Sequence, residues 1–447
     1  MPLSGLPFQG RLPNLFLPTS AFGVSTIKAP VMHSVFGSVV RALPIEAAAL
    51  SEECNGDEFP KKVNLTLGVY RNFDGKAVRM PVVKKMELRM ANDDSLNKDY
   101  LPIIGKEAFC SAGVRLLLGK NHPSCVSRLA GGVQTIGGTG AVFLSARFLH
   151  RILGFKIAYI PKPGWPSHRG ICDHEGYTVK EYRYWNWNSQ CLDINGMLED
   201  LSNAPEWAVV ILHACAHNPT GMDLAKTQWL EVARIMKARR LFPLFDIAYQ
   251  GFASGDLDED AWPIRMFIDH GFELFAAQSF SKNFGLYNER VGNLIFVTRD
   301  AETTACVKSQ LLVLARYVWS NPVNHGSYIV SSVLNDPELT EEWKRNLAEM
   351  AQRIITTREL FHKKLKALGT PGNWDNVIIQ RGMFSYTGLS REQVKHLREK
   401  YHIYLTAEGR MNMCGLDWNN MDYVANAFHE TITGGSVSNV DNCDGDR

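Results

Sequence analysis

Short apolar runs alternate with amphipathic stretches along most of the chain. In residues 227–240, for example, Leu230, Ala233 and Met236 share one face of a helix, and charged residues occupy the other faces. The apolar runs between such stretches have no polar face, which is typical of strands in a parallel sheet that helices cover on both sides. These runs are residues 156–160, 208–212, 241–245, 272–277 and 293–297. The alternation predicts a doubly wound α/β domain.

The pattern changes towards the end of the chain. Residues 336–368 have the periodicity of one long helix, with Trp343, Leu347 and Ile354 at helical spacing. Residues 395–402 predict another short helix before the apolar residues 403–405. We therefore expect a second, smaller α+β domain, joined to the first by the long helix. No internal repeat is visible.

The two ends of the chain differ in composition from the middle. Residues 1–31 are rich in Pro, Gly, Ser and Leu, and the first acidic residue is Glu46. This composition is compatible with an organelle transit peptide, but also with a disordered extension or a leader that precedes an alternative start. Residues 434–447 are polar and rich in Gly, Ser, Asn and Asp, which predicts a disordered tail.

Length and composition exclude several classes of protein. At 447 residues the chain exceeds one ordinary domain, and a net charge of +2 gives no support to a nucleic-acid-binding surface. No apolar run is long enough to span a bilayer. The nine cysteines are scattered without a Cys-x-x-Cys pair, so they indicate neither a structural zinc site nor a disulfide framework. We interpret them as the reduced thiols of an intracellular protein.

The segment that follows the run 272–277 carries a candidate nucleophile. Lys282 stands between Phe280 and Phe284, where loss of solvation lowers a lysine pKa and makes the amine reactive towards carbonyls. The alternative is a lysine that extends from a strand end into water. Ser279 and Lys282 also match the Ser-x-x-Lys pattern of penicillin-binding enzymes, but the chain has no Lys-Thr-Gly strand, so this serine-nucleophile interpretation is remote.

Three further segments contain candidate polar groups. Residues 137–140, Gly-Gly-Thr-Gly, precede a helical pattern over residues 141–153 and predict a phosphate site, or only a turn. Asp246 ends an apolar run, with Tyr249 three residues later. A carboxylate there lies where open α/β sheets bind ligands, although a helix N-cap is an equal alternative. His213 and His217 suggest metal ligation, but an Asn-Pro-Thr-Gly turn follows them, which favours core or supporting histidines.

Several stretches taken together carry a family resemblance, in order, over residues 32–433. They are Tyr100-Leu101-Pro102-Ile103, His213 to Gly221, Phe245 to Gly255, Gln278 to Asn293, Trp319-Ser320-Asn321-Pro322 and Gly382-Met383-Phe384-Ser385. This combination resembles the aspartate aminotransferases of the pyridoxal-phosphate (PLP) fold-type-I superfamily, and the animal cytosolic type in particular. The segment Pro-Lys-Pro-Gly-Trp that ends at Trp165 is more similar to mitochondrial relatives.

The resemblance implies a fold and a domain organisation. The expected fold is the α/β architecture of PLP-dependent transferases of fold type I, with a mostly parallel, seven-stranded sheet in a large domain and a smaller α+β domain. Residues 78–350 would form the large PLP-binding domain, and residues 32–77 and 351–433 the small one. Residues 1–31 would be an extension and residues 434–447 a tail.

The resemblance also implies which residues bind the cofactor. Lys282 would hold PLP covalently and move a proton during catalysis, and Asp246 would keep the pyridine nitrogen protonated, with His168 behind it. The remaining cofactor contacts would come from Gly138, Thr139, Ser279 and Arg290 at the phosphate, from Asn218 and Tyr249 at the ring oxygen, from Trp165 on the ring face, and from Tyr100. Some relatives carry Ser at the position of Gly137, and glycine lacks that hydroxyl.

Substrate contacts and a dimer follow from the same resemblance. Arg410 matches the residue that binds the α-carboxylate, and Arg316 the one that binds the distal carboxylate, since guanidinium pairs with carboxylate in a bidentate manner. Trp165, Asn218 and the backbone at Gly68 would also contact the substrate. Arg316 and Tyr100 would reach into the neighbouring subunit, which implies a homodimer with shared active sites. Without the resemblance, both arginines would be taken as surface residues.

These inferences lead to a functional hypothesis. The chain would be a PLP-dependent aminotransferase that exchanges an amino group between L-aspartate and 2-oxoglutarate with ping-pong kinetics. The alternatives are a related aminotransferase of broader specificity, aromatic or acting on cysteine sulfinate, and a non-catalytic relative. We expect no metal, nucleic-acid or membrane partner, and a cytoplasmic location, or a mitochondrial one if residues 1–31 are a transit peptide.

Overall fold

The computed structural model describes residues 34–434, which separate into two units, residues 34–44 and residues 45–434. The first unit is a short segment with a turn closed by the Gly37 amide, which donates to the Ser34 carbonyl (2.9 Å). Its large apolar side chains are exposed. The predictions for residues 1–31 and for the tail after residue 434 lie outside the described residues.

The second unit contains all the regular helices and strands of the described chain. In chain order they are α1 (Glu46–Gly56), β1 (Val63–Asn64), α2 (Pro81–Ala91), α3 (Glu107–Leu118), α4 (Pro123–Val126), β2 (Ala130–Ile136), α5 (Gly137–Arg151), β3 (Ile157–Lys162), α6 (Pro166–Glu175), β4 (Thr178–Arg183), β5 (Trp185–Asn186), β6 (Cys191–Leu192), α7 (Ile194–Ser202), β7 (Val209–His213), α8 (Lys226–Ala238), β8 (Phe242–Ile247), α9 (Leu257–Asp269), β9 (Leu274–Ser279), β10 (Val291–Val297), α10 (Ala301–Val318), α11 (His325–Asn335), α12 (Pro337–Ala367), α13 (Asn376–Ile379), β11 (Phe384–Tyr386), α14 (Arg391–Tyr401), β12 (Ile403–Tyr404), β13 (Arg410–Asn412), a short 3-10 helix (Met413–Gly415) and α15 (Met421–Thr433).

A seven-stranded sheet forms the centre, in the order β2-β10-β9-β8-β7-β3-β4. Strand β10 is antiparallel to both of its neighbours, and the remaining neighbouring strands are parallel. The predicted α/β class with a mostly parallel sheet is therefore confirmed. The five predicted strands are all present, displaced by one or two residues at their ends.

Two apolar clusters sandwich this sheet, because alternate residues of each strand point to opposite faces. In β7, Val210 and Leu212 pack in one cluster and Val209 and Ile211 in the other. Helices α8 and α9 contribute to the first cluster and α5 to the second. Burial on both faces explains why the strands lack the polar alternation of a half-exposed sheet.

The long helix is also confirmed, at Pro337–Ala367 against a predicted 336–368. Asp336 caps it, since its side chain accepts hydrogen bonds from the Glu338 and Leu339 amides, and Pro337 occupies the first turn, where a missing N–H costs nothing. The helix buries Trp343 and Phe361 in a third cluster with α15 and the short strands β11 to β13.

Residues 45–434 form one compact unit, so the proposed division at residues 78–350 remains a prediction. Across residues 34–434, none of the helices combines the length and apolar character needed to cross a membrane.

Candidate active site

One pocket opens at the carboxyl ends of the parallel strands, where the loops after β7, β8 and β9 meet the first turn of α5. Strand register explains the convergence, because His213 pairs with Asp246 and Asp246 with Ala277 on adjacent strands. The carboxyl edge of an open α/β sheet is the usual place for a ligand. The lining residues are Gly138, Thr139, Trp165, His213, Asn218, Asp246, Ala248, Tyr249, Ser279, Ser281, Lys282 and Arg290.

Asp246 is a buried carboxylate held by a histidine. It lies within β8 rather than at a helix N-terminus, so the N-cap alternative is wrong. The Nε2–H of fully buried His168 donates to Asp246 Oδ2 (2.9 Å). Burial alone would raise the pKa of Asp246, but the His168 hydrogen bond and the charges of His168, His213 and Lys282 outweigh it and lower that pKa. The carboxylate therefore stays ionised and available to a cationic group in the pocket.

Lys282 faces the same pocket from the loop after β9. Its Nζ lies 5.3 Å from the ring centroid of Tyr249. Burial lowers the pKa of the Lys282 amine; the nearby Asp246 carboxylate opposes that shift, and Arg290 reinforces it. Phe280 and Phe284, which flank the lysine in sequence, are fully buried and pack edge to face at 5.7 Å, so they anchor the loop that carries the amine. An amine with a lowered pKa is a better nucleophile at neutral pH.

Another part of the pocket wall is suited to binding an anion. Helix α5 begins at Gly137, one turn earlier than predicted, so Gly138 and Thr139 belong to its first turn. The amides of that turn lack partners within the helix and carry the positive end of the dipole. A Cβ at Gly138 would fall 2.8 Å from Ser279 Cβ, so only glycine allows this approach. Arg290 lines the same wall.

Hydrogen bonds hold Arg290 beside the first turn of α5. The Gly137 amide donates to the Arg290 carbonyl (2.8 Å), and Arg290 Nη1 donates to the Tyr287 carbonyl (3.1 Å) and to Ser281 Oγ (3.3 Å). Gly137 has φ +67°, and a Cβ there would lie 2.5 Å from Arg290 Nη2. Glycine at this position therefore leaves the guanidinium room beside the helix terminus.

Three more predicted residues line the pocket. Trp165, just before α6, lines it and meets the ring of His168 edge on at 5.1 Å. Asn218 lines it from the loop after β7. Burial raises the pKa of the Tyr249 phenol, with Asp246 adding to the effect, so the phenol remains protonated and can donate.

Arg410 lies beside the pocket, at the start of β13. Its Nη1 donates to Asn218 Oδ1 (3.2 Å) and its Nη2 to the Thr66 carbonyl (2.8 Å). The guanidinium lies over the ring of Phe384, 4.3 Å from the centroid. Gly68 faces the same ring, since a Cβ on it would fall 2.8 Å from Phe384 Cζ. The structure thus groups Arg410 and Gly68, and it connects them to the pocket through Asn218.

Arg316 and Tyr100 are not brought to this pocket within one chain. Both are exposed, Tyr100 to 89%. Arg316 Nη1 donates to Ser320 Oγ and to Asn321 Oδ1 (3.3 Å), and Asn321 Nδ2 donates to the Leu101 carbonyl (2.7 Å). The segment directly after α10, the helix that carries Arg316, is therefore tied to the segment that carries Tyr100.

The histidines raise the question of a metal. His213 ends β7 and His217 lies in the loop after it, so no helix presents the pair, as expected. His217 Nδ1 is hydrogen-bonded to Thr220 Oγ1 (2.9 Å), and its ring stacks on Tyr184 at 3.8 Å. His213, His168 and Asp246 have ligand atoms within 4.8 Å of one another, but Asp246 is already engaged by His168. The absence of a metal remains a prediction.

Sequence reasoning missed part of the lining. Ser281 and Ala248 were not expected there, and His213 was expected only as a core or supporting residue. Ser281 had a usable signal, since it directly precedes the candidate lysine and lies two residues from Ser279. Ala248 had none, because alanine offers no group that chemistry would select.

Comparison with known proteins identifies the family. The family model "Aminotransferase class I and II" matches residues 60–428. Cytoplasmic aspartate aminotransferase from Gallus gallus is 46% identical over 90% of this chain and 98% of its own length. The relative of the same name from Caenorhabditis elegans is 45% identical over 89% and 98%.

A solved structure of aspartate aminotransferase from Saccharomyces cerevisiae cytoplasm superposes with a TM-score of 0.88 at 37% identity, covering 90% of this chain and 99% of that one. An aromatic-amino-acid aminotransferase from Burkholderia pseudomallei, covalently bound to pyridoxal phosphate, has a TM-score of 0.87 at 39% identity, with 90% and 100% covered.

The pocket fits that cofactor. It offers a lysine amine of lowered pKa for an aldehyde, an ionised carboxylate for a pyridinium nitrogen, and a glycine-lined helix terminus with an arginine for a phosphate. The predicted fold type and cofactor are thereby confirmed. The chain belongs to the class I and II aminotransferases, and it is a PLP-dependent enzyme.

Proposed function

We propose that the enzyme exchanges an amino group between L-aspartate and 2-oxoglutarate, giving oxaloacetate and L-glutamate. The observation that carries this proposal is the arrangement of Lys282 and Asp246 in one pocket, with the Arg410 guanidinium joined to that pocket through Asn218. The names of the Gallus gallus and Caenorhabditis elegans relatives support the choice of substrate.

The proposed cofactor contacts follow the geometry of the pocket. PLP, when bound, supplies an aldehyde that links to amines and a ring that accepts electrons from the substrate. Lys282 holds the cofactor and then carries the proton away from the substrate Cα. Asp246, supported by His168, keeps the ring nitrogen protonated. The remaining residues orient the group: Tyr249 and Asn218 at the ring oxygen, Trp165 on the ring face, and Gly138, Thr139, Ser279 and Arg290 at the phosphate.

The proposed substrate contacts use two guanidinium groups. Arg410 binds the α-carboxylate, with Gly68 closing over it, and the partner subunit's Arg316 binds the distal carboxylate. Burial lowers the pKa of Arg410, yet a guanidinium pKa starts so high that the group stays charged. Its two donors to Thr66 and Asn218 fix its plane, which prepares bidentate pairing.

A homodimer with shared sites belongs to this proposal. Arg316 and Tyr100 are exposed, away from the pocket of their own chain, and the hydrogen bond from Asn321 to the Leu101 carbonyl keeps the end of α10, which carries Arg316, close to the segment of Tyr100. Arg316 and Tyr100 can therefore enter the active site of the neighbouring subunit together.

Substrate selectivity tests the role of Arg316. We expect Arg316→Asp to lower kcat/KM for aspartate by about 10³-fold, since it replaces attraction for a carboxylate by repulsion, and to change activity on neutral amino acids far less. Steady-state kinetics on aspartate and phenylalanine measure this. Arg234→Asp, at an exposed arginine of α8, is the matched control and should behave as wild type. An equal loss on both substrates would contradict the distal-carboxylate role.

Subunit mixing tests the shared site. Lys282→Ala and Arg316→Asp subunits should each be inactive on aspartate alone, whereas hybrid dimers contain one intact site and should recover activity. The same is expected for Tyr100 variants mixed with Lys282→Ala. Exchange is verified by tagging one subunit and isolating the hybrid. No recovery in a verified hybrid would count against the shared site.

A second candidate is an aminotransferase of broader specificity. Relatives with this character are also similar in structure, such as the broad specificity aminotransferase from Leishmania mexicana, with a TM-score of 0.86 at 36% identity. The ratio of kcat/KM for aspartate to that for phenylalanine, tyrosine and cysteine sulfinate decides between them. A non-catalytic relative is the least suitable alternative, because Lys282, Asp246, Arg290 and Arg410 are all retained.

We place the enzyme in the cytoplasm, in line with the names of its relatives. The mitochondrial alternative depends on residues 1–31. Fractionation of cells that express the full chain, and the chain without those residues, distinguishes the two. Mitochondrial enrichment of the full chain alone would overturn the cytoplasmic assignment.

A further inference from the structure

The long helix α12 carries a buried arginine that the proposed chemistry does not use. Arg358 is only 3% exposed. Its hydrogen-bond acceptors in the described chain are three backbone carbonyls: Nη1 donates to Val377 (2.9 Å), and Nη2 to Gly382 (2.7 Å) and to Phe384. Burying a cation is costly unless its hydrogen bonds are made. The guanidinium therefore ties down the two ends of one segment, residues 377–384.

That segment forms the support of the substrate-binding arginine. The ring of Phe384 lies under the guanidinium of Arg410, with 4.3 Å from ring centroid to Cζ, and it also fills the space beside Gly68. Strand β11, which starts at Phe384, pairs with β13, which starts at Arg410. A shift of the Phe384 backbone would therefore displace both the platform and the strand that carry the carboxylate-binding group.

The same segment also contacts the loop on the cofactor side. The Arg381 amide donates to the Gly221 carbonyl (2.6 Å), and a Cβ at Gly382 would fall 2.4 Å from Ala216 Cβ. The loop from Ala216 to Gly221 contains Asn218, whose amide oxygen accepts a hydrogen bond from Arg410. Residues 377–384 therefore influence both groups that position Arg410, namely the ring of Phe384 and the amide of Asn218.

We propose that Arg358 is a positioning residue for substrate binding, which fixes residues 377–384 so that Phe384 and Asn218 hold the Arg410 guanidinium in its carboxylate-binding orientation. The inference rests on the proposed role of Arg410. Helix α12 then has a function beyond packing. Its buried residue Arg358 sets the affinity for substrate at the Arg410 site without touching the substrate itself.

The position of Arg358 allows a test by chemical rescue. A cleft of about 570 Å³ borders this residue and is lined by Ser254, Glu359, Arg381 and Gly382, among others. Arg358→Ala would leave a space that guanidinium ion can reach through the cleft. We expect this variant to raise KM for aspartate and 2-oxoglutarate about tenfold or more, and to change kcat less. The reason is that even a small displacement of the Arg410 guanidinium weakens its pairing with the substrate carboxylate. Millimolar guanidinium should restore KM, and potassium chloride of equal ionic strength should not.

A buried arginine on the same helix serves as the matched control. Arg353 is 6% exposed and also donates to carbonyls, those of Asn72 (3.0 Å) and Leu416 (2.6 Å), but to none in residues 377–384. Arg353→Ala should lower thermal stability as Arg358→Ala does, yet leave KM near the wild-type value. If both variants raise KM equally, Arg358 has only a general structural role and the proposal is overturned.

Further measurements keep the outcome decisive. If Arg358→Ala does not fold, Arg358→Lys, which retains a charge and fewer donors, should still raise KM. PLP should remain linked to Lys282 in every Arg358 variant, because Lys282, Asp246 and the phosphate contacts lie elsewhere, and only the contact of Asn218 with the ring oxygen depends on residues 377–384. Arg410→Lys is measured in parallel. If it leaves KM unchanged, the proposed role of Arg410 fails; if it raises KM and the Arg358 variants do not, only the positioning role of Arg358 fails.

Discussion

The two ends of the active site are built by different means. At the cofactor end, Asp246 and Ser279 belong to buried neighbouring strands, and the ladder of the central sheet fixes their separation. At the substrate end, Arg410 starts a strand of three residues and Gly68 lies in an irregular segment. Asn412 joins these two parts, since its Nδ2 donates to the carbonyls on either side of Gly68, those of Leu67 (2.6 Å) and Val69 (2.9 Å).

Because of this difference, we expect the cofactor end to be more rigid than the substrate end. At the cofactor end, backbone hydrogen bonds between strands fix the positions of the strand residues before any ligand binds. Fixed positions suit a site that stabilises charge with preorganised dipoles and charged groups. The substrate end depends on side chain to backbone hydrogen bonds between distant segments, such as Arg410 to Thr66. Such bonds form and break at lower cost than a sheet, so we expect this end to move when substrates exchange.

The largest expected effect comes from removing the amine at the cofactor end. Lys282→Ala should lower turnover by about 10⁴-fold or more, because the variant loses both the covalent attachment of PLP and the group that moves the proton. Kinetics measure the loss. Borohydride treatment followed by mass spectrometry should add the cofactor to wild type and not to the variant. Full activity in Lys282→Ala would remove the assignment of this lysine.

A smaller loss is expected from the neighbouring carboxylate. Asp246→Asn keeps the shape of the side chain but removes the charge that faces the ring nitrogen, so we expect kcat to fall by about 10³-fold. His168→Leu should cost only about tenfold, because it removes the hydrogen bond to Asp246 Oδ2 and leaves the charge of Asp246 in place. Equal losses in the two variants would contradict the direct role of Asp246.

The substrate end is tested by the smallest possible addition. In Gly68→Ala the new Cβ would lie 2.8 Å from Phe384 Cζ, so the buried ring below Arg410 must shift. Overpacking of this kind costs about 1–3 kcal/mol, and we expect KM for both substrates to rise about tenfold while the PLP absorbance is unchanged. Gly56→Ala, where a Cβ meets nothing within 4 Å, is the control. A change in PLP affinity in Gly68→Ala would show that the two ends are not separable.

The same contrast explains how much the sequence could predict. Strands β7, β9 and β10 are buried along their whole length, and β8 is buried at every residue except its first, so their apolar runs are visible in the sequence. The edge strand β4, Thr-Val-Lys-Glu-Tyr-Arg, is mostly exposed and was missed, because solvent permits polar residues there. The other edge strand, β2, was missed as well; it carries two adjacent glycines, Gly131 and Gly132, which weaken any strand signal.

For the site, local patterns suggested Lys282, Asp246 and the glycines of α5, but they assigned no partners. The hydrogen bond from His168 to Asp246 joins residues 78 positions apart, and that from Arg410 to Asn218 joins residues 192 apart. Periodicity carries no information at such separations, so the family resemblance had to supply those roles. The support of Phe384 by Arg358 had no sequence signal, since a buried arginine on an amphipathic helix resembles an exposed one.

The smallest expected effect concerns pH and the cofactor end. Burial, reinforced by the charge of His168 and opposed by that of Asp246, lowers the pKa of His213 to about 3. An unfolded histidine titrates near 6.5. As pH falls below about 6.5 the unfolded chain gains a proton at this residue that the folded chain refuses, so stability decreases by up to about 1.4 kcal/mol per pH unit. His213→Gln should remove this contribution, because glutamine does not titrate.

Urea unfolding at fixed protein concentration, from pH 6.5 to 4.5, measures the difference between wild type and His213→Gln. We expect the stability advantage of wild type to shrink steadily as pH falls, whatever its value at pH 6.5. A constant difference across this range would mean that His213 accepts a proton in the folded chain. The cofactor end would then be less insulated from solvent than its strand ladder implies, and its contrast with the substrate end would weaken accordingly.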